Sequence, residues 1–224
     1  MARNALTAVE VDSMRSRLCE GALKIFRDGG LEAVTFRALA DAVGVSHTLP
    51  YRYFENKDAM LASVRVMCFS QFERFVRERE AAQRSSLNRV LAVLEAYVDF
   101  VLQHPVEYSL IFATAQPPPQ RYPDLLAARQ SLFEHSVELV QRCLDEKVIT
   151  GDARDITHMV WGALHGLLTL HVANQLVHGR TLKELVWPTI SRLLGLPLSE
   201  AARKAPNAKR PKATGPLPVS RLRR

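Results

Sequence analysis

Eight polar and aromatic residues crowd into the stretch from 35 to 57: Thr35, Arg37, His47, Thr48, Tyr51, Arg52, Tyr53 and Lys57. Their chemistry is that of donors for phosphate oxygens and base edges. Arg52 can present its guanidinium fork to guanine or to a phosphate, and the hydroxyls and ring edges of Thr48, Tyr51 and Tyr53 can reach phosphate oxygens or a thymine methyl. Arg37 stands near a helix start, where backbone N–H groups also favour an anion. Tyr51 and Lys57 are assigned to phosphates. No nucleophile–base pair, metal cluster or phosphate-cradling loop stands out in the chain, which argues against a catalytic reading.

Such groups need a scaffold that holds them outward, and residues 34–54 supply one. Thr35 is a good N-cap. Leu39, Ala40 and Val43 follow at helical spacing, with small Ala42 allowing close approach of a second helix. Gly44 can take the left-handed conformation that ends a helix, Val45 packs down behind it, and Ser46 is the next cap. This is a helix-turn-helix pattern, whose second helix enters the major groove. Pro50 opposes it, since an interior proline costs about 3 kcal/mol. Counted from Ser46, however, it forfeits only the bond to the cap carbonyl. The expectation is a reading helix with a loose or tight first turn, not a broken one.

The run Thr-Phe-Arg-Ala-Leu-Ala-Asp-Ala-Val-Gly-Val-Ser from Thr35, followed by Tyr51-Arg52-Tyr53-Phe54 and Asn56-Lys57-Asp58-Ala59-Met60-Leu61, resembles the DNA-binding domain of TetR-type transcriptional regulators. The family usually carries a larger aliphatic residue where Pro50 stands. The resemblance implies an all-α protein: a three-helix DNA-binding domain over 12–62, a helical effector-binding and dimerisation domain over 63–197, and a basic tail over 198–224.

Composition agrees with a folded chain of one large or two small domains. No run of about 18 uncharged apolar residues is present, and the first eleven residues lack an apolar signal core, so no membrane association is expected. Cys19, Cys68 and Cys143 are odd in number and scattered. They read as small buried hydrophobes in a reducing, cytoplasmic compartment. The net charge of +7 is misleading as a whole. From Pro197 onward Arg203, Lys204, Lys209, Arg210, Lys212, Arg221, Arg223 and Arg224 face Glu200 alone, which already accounts for that charge. The body is near neutral, and nucleic-acid affinity there depends on local placement. The tail is expected to be disordered and solvated, with added phosphate contact as the lesser alternative.

About nine helices follow from periodicity and caps. Met14, Leu18, Ala22, Ile25 and Phe26 line one face of a first helix capped by Asp12 or Ser13 and ended by Gly29-Gly30. Asn56 caps a long helix reaching about Gln83, which links the reading unit to the remainder. Leu87 to His104 is next, stopped by Pro105, then a short helix from Glu107 to Ala113 and a proline loop at 116–120. Pro123 opens a helix to about Lys147, and Asp152 caps one reaching about His178. Thr181 and Glu184 make a capping box for the last helix, which Pro188 should kink and Gly195-Leu196-Pro197 should end.

The family resemblance also implies two further sites. Middle helices would enclose an apolar or lightly polar effector among Met67, Phe72, Tyr97, Phe100, Tyr108, Phe112, Phe133 and Trp161, residues that taken singly read equally as core. The helix carrying Trp161, Gly162, His165 and Gly166 would pair with the last helix, through Leu182, Leu185 and Ile190, as the four-helix interface of a homodimer. A two-fold pair sets two reading heads about 34 Å apart, one turn of DNA. The histidines are spaced seven apart along one helix, with no pair at i,i+4 beside an acid, so neither a metal nor another cofactor is assigned. The reading is a ligand-responsive regulator, a repressor in preference to an activator, acting on double-stranded DNA. A helical enzyme or small-molecule carrier with a merely structural N-terminal unit is the alternative.

Overall fold

The computed structural model describes residues 7–113 and 115–197. The basic tail therefore lies outside the described residues. Within them the chain is all-α, with eight α-helices and no strand. These are α1 (Ala8–Ala33), α2 (Phe36–Val43), α3 (Lys57–Ala81), α4 (Ser86–Gln103), α5 (Pro105–Tyr108), α6 (Pro123–Asp145), α7 (Ala153–Val172) and α8 (Leu182–Leu193). None is long and apolar enough to cross a membrane.

The difference from nine lies at Pro50. The reading segment is a 3-10 turn over Pro50–Arg52 instead of an α-helix with one irregular turn. Proline lacks the N–H that would bond back to Ser46, and its ring crowds that carbonyl. The Ser46 carbonyl accepts from Leu49 N–H instead (2.9 Å), and Arg52 and Tyr53 N–H bond to Leu49 and Pro50, both at 3.0 Å. Each of these bonds reaches three residues back, so the tight turn propagates through the whole segment.

Start and stop signals elsewhere mostly hold. Thr35 accepts from Ala38 N–H (3.1 Å), Asn56 from Ala59 N–H (2.9 Å), and Asp152 from Arg154 and Asp155 N–H. Thr181 and Glu184 form their reciprocal box. The first helix starts earlier than expected, because Thr7 and Glu10 make a capping box ahead of Asp12 and Ser13. Gly30, at φ 73°, breaks its helical run as anticipated. α7 stops at Val172, short of His178, because Asn174 takes φ 56° and lets Gln175 N–H close back onto the Leu170 carbonyl (2.7 Å). Asparagine here does what glycine does at Gly44, where Val45 N–H reaches the Ala40 carbonyl (3.0 Å). The expected 107–113 helix is split into α5 and a π turn over Ser109–Ala113. α8 runs through Pro188 to Leu193.

One hydrophobic core runs the length of the molecule. α3 is its axis, packing on α1 at one end and on α4 and α6 at the other, while α7 covers α6 and α4 and carries α8. All three cysteines are free and buried, and burial pushes their thiols up, Cys68 to about 12, so they stay protonated as packing groups.

Candidate nucleic-acid interface and effector cavity

The turn after α2 is fixed from beneath and open above. Pro50 and Phe54 are buried against the core, and Val45 packs on it. Between them Tyr51 is 65% exposed, its ring edge-on to Phe36 at 4.5 Å between centroids. Arg37, His47, Thr48 and Arg52 are exposed as well. Arg37 and Arg52 form no ion pair with any described residue. His47 Nε2 lies 2.8 Å from Asp41 Oδ1, and Ser46 and Thr48 share a hydroxyl contact at 3.3 Å, so those two side chains have set orientations. Thr35 uses its hydroxyl on the α2 cap, Tyr53 is half-buried, and Lys57 Nζ donates to the Leu31 carbonyl (2.8 Å). That leaves two of the three ammonium N–H groups of Lys57 for an anion.

Three polar ties brace this unit and its junction with the rest, and two of them have no local signature in the sequence. Lys57 links the start of α3 to the end of α1. Arg27 of α1 pairs with Glu107 of α5 (2.9 Å), a carboxylate almost wholly buried. Arg65, 2% exposed in mid α3, donates to the Leu110 (3.2 Å) and Ala115 (3.0 Å) carbonyls, so a buried guanidinium holds the π turn and the loop after it. Buried charges of this kind find their partners only in three dimensions.

A cavity of about 560 Å³ opens among α3, α4, α6 and α7. Of the eight residues expected around an effector, Phe72, Tyr97, Phe112, Phe133 and Trp161 line it. Met67 does not. It faces a second cleft, of about 530 Å³, beside Tyr53 and Phe54. Phe100 and Tyr108 also lie off the cavity wall: Phe100 stacks behind Phe72 at 4.6 Å and Tyr108 sits beneath Phe112. Both are core supports, correcting the expectation that they touch a ligand. The sequence reading missed the polar rim of Gln116, Arg129, Glu134, Arg154 and His158. Glu134 and Arg154 pair through both oxygens (2.9 and 2.6 Å), whereas Arg129 donates to the Gln116 amide oxygen.

Beside the cavity, Tyr108 Oη lies 2.8 Å from His165 Nδ1 and 3.2 Å from Thr169 Oγ1, with Tyr97 Oη 3.3 Å from the same nitrogen. A neutral imidazole with its proton on Nε2 accepts from Tyr108 there, and burial holds His165 below the usual imidazole value. The unfolded chain therefore takes up this proton first. Stability from the site is complete above about pH 6.5 and drains away as pH falls from there toward the folded-state value. Melting at pH 8 and pH 5.5 should show a smaller acid-side loss for His165→Phe than for the unaltered chain. An identical loss would mean the imidazole titrates as freely in the fold as in water.

The α7 face divides. Trp161 (42% exposed), Gly162 and Gly166 point outward with Met159 and Leu170, and a Cβ built on either glycine meets nothing within 4 Å. His165 is half-buried. Leu182 and Ile190 are 6% and 0% exposed, so their surface is already spent inside the single chain, which corrects their assignment to an interface. The side of α8 left for a partner carries Leu185, Pro188, Thr189 and Arg192.

Known proteins share this fold. A family model for bacterial regulatory proteins of the tetR family matches residues 18–64, and one for the tetracyclin repressor-like C-terminal domain matches residues 90–193. The HTH-type transcriptional activator FasR of Mycolicibacterium smegmatis is 29% identical over 101 residues, 45% of this chain and 46% of that protein, so the match spans about half the length of this relative. Among solved structures, a protein of unknown function from Rhodococcus sp. RHA1 superposes with a TM-score of 0.71 at 23% identity, covering 82% of this chain and 95% of that one. The transcriptional regulator FadR from Bacillus subtilis, in complex with stearoyl-CoA, does so at 0.66 and 15% identity, covering 80% and 97%. With a matching reader, a matching C-terminal domain and the shared fold in register along one chain, this protein belongs to the tetR family of bacterial regulatory proteins.

Proposed function

We propose that the protein is a ligand-responsive repressor that binds a palindromic operator as a homodimer in the cytoplasm. Residues 12–62 are the reading unit and 63–197 the effector-binding and dimerisation unit. Tyr51 and Arg52 are the principal DNA contacts, with Arg37, His47 and Thr48 beside them. Thr35, Tyr53 and Lys57 are assigned contact through the groups their internal bonds leave free. The α7 stripe of Met159, Gly162, Gly166 and Leu170, with Trp161 and His165 beside it and Leu185 on α8, is the face for the second copy.

The observation that carries this reading is the continuity of α3. Its first residue, Lys57, is tied to α1 beneath the reading turn, and about three to five turns on its Phe69, Phe72 and Val76 form the cavity wall. An apolar molecule that prefers one placement of that wall also prefers one placement of the reading head. It lowers DNA affinity by the difference in its own binding free energy between the two states. FadR of Bacillus subtilis, which holds stearoyl-CoA, is a precedent for an apolar effector on this fold. The opposite sign of regulation draws support from FasR, which is named an activator.

Footprinting on the DNA flanking the protein's own gene tests the proposal. Two protected half-sites about one helical turn apart are expected. A chain that shifts no DNA in a mobility assay would instead be a helical carrier with a structural N-terminal unit.

A further inference from the structure

We propose that the cavity takes an amphiphilic carboxylate, its acid group on the Arg129 guanidinium and its apolar body among Phe72, Phe112, Phe133 and Trp161. This rests on the effector reading above and narrows it from apolar molecules to anionic ones.

The charges around the cavity do not balance. Glu134 and Arg154 neutralise each other in a two-pronged pair, which leaves the positive charge of Arg129 over. No acidic side chain among the described residues pairs with it. Its acceptor is the neutral amide oxygen of Gln116. A guanidinium is built to grip two carboxylate oxygens at once, and such charge-assisted pairs are about twice as strong as bonds to neutral acceptors.

Its surroundings sharpen the preference. Burial lowers the Arg129 pKa, and burial followed by the charge of Arg129 lowers that of Arg65 against a smaller opposing pull from Asp58, so the two guanidinium groups repel each other in partly desolvated surroundings. An anion at this point offsets both the lost hydration and the mutual repulsion. A neutral apolar molecule offsets neither. The remaining walls are aromatic and aliphatic and suit a hydrocarbon body, and 560 Å³ is within the ordinary range for a small-molecule site.

The position of Gln116 adds a consequence. Arg65 holds the carbonyls of Leu110 and Ala115, and the Gln116 amide itself donates to Leu110 (3.1 Å). A carboxylate that takes Arg129 from Gln116 loosens a segment anchored directly on α3. The acid group thereby reaches the linking helix through a polar route that the hydrocarbon body does not use.

Calorimetry on the full-length protein at pH 7 with two acid–ester pairs, decanoate with methyl decanoate and 2-naphthoate with methyl 2-naphthoate, tests the assignment, with decanoyl-CoA as a further arm. In at least one pair the acid should bind about tenfold or more tightly than its ester, as a charge-assisted head group implies. Arg129→Gln should remove that preference by weakening the acid alone, and Arg129→Lys should keep part of it. Unchanged ester binding in Arg129→Gln shows that the cavity is intact. Equal binding of acid and ester, an acid preference that survives Arg129→Gln, or decanoyl-CoA binding tighter than decanoate irrespective of Arg129 would each overturn the carboxylate assignment while leaving an effector cavity in place. Binding of none of the five would overturn the cavity's role as well.

Discussion

Arg52→Ala is expected to weaken operator binding about thirtyfold or more while leaving the melting temperature essentially unchanged. A good side-chain contact to a base edge discriminates by about 1–3 kcal/mol, and a two-fold complex forfeits it twice, once per half-site. Each 1.4 kcal/mol is a factor of about ten in affinity. Nothing folds around Arg52: it is exposed, it forms no ion pair with a described residue, and substitutions at such positions usually move stability by no more than about 0.5 kcal/mol. Tyr51→Ala should cost affinity similarly, but it also surrenders the edge-on packing with Phe36, worth about 0.5–1.5 kcal/mol of stability. Arg52 is therefore the cleaner probe. Its salt dependence separates two roles. If Arg52 holds a phosphate in each half-site, its removal lowers the slope of log affinity against log salt. If it reads a guanine, its removal relaxes sequence preference and leaves the slope alone. Full operator affinity in Arg52→Ala, in mobility shifts on footprinted DNA, would remove this turn from the interface.

How much of this is legible in the sequence depends on where each signal lives. The helix-turn-helix reading rests on local chemistry: a threonine cap, a left-handed glycine and an apolar stripe on α2, all found where the spacing places them. Pro50 is equally visible, yet its effect is larger than a single missing bond implies. Removing one bond at the fourth position also removes the register that later residues would have followed, and the turn stays tight up to Tyr53. The end of α7 escapes a linear reading because asparagine at 174 can adopt the same left-handed cap as glycine, at an energy cost that sequence periodicity does not reveal.

For the cavity, aromatic content locates the wall but does not separate its surface from its support. Phe72 and Phe100 stack on each other, and only one of them reaches the space. The rim is invisible for a different reason. Arg129, Glu134 and Arg154 are ordinary helix-surface residues in a linear reading, and two of them cancel only because α6 and α7 lie side by side. The proposed contact with a second copy shows the same limit. Small residues on α7 do face outward, whereas the α8 leucine and isoleucine at 182 and 190 turn into their own chain. Periodicity says that a helix has an apolar face, not which neighbour claims it.

The outward glycines of α7 permit the sharpest test of assembly. Glycine inside a helix costs roughly 1 kcal/mol relative to alanine, so on an exposed face a good helix former such as alanine or glutamate should stabilise the isolated chain. Neither Gly162 nor Gly166 needs its smallness for internal packing, since an added Cβ at either position meets nothing within 4 Å. Their smallness has a physical use only if another backbone approaches. In Gly162→Glu the single chain should therefore melt no lower than before, while two carboxylates are forced together across a two-fold contact. Light scattering should show a monomer, and operator affinity should fall about a hundredfold or more, because the second half-site is no longer delivered at high effective concentration. Gly162→Ala brings bulk without charge and should fall between the two. If Gly162→Glu stays dimeric and holds its operator as before, the second copy is seated elsewhere, and the exposed Met159, Trp161 and Leu170 would need a different occupant.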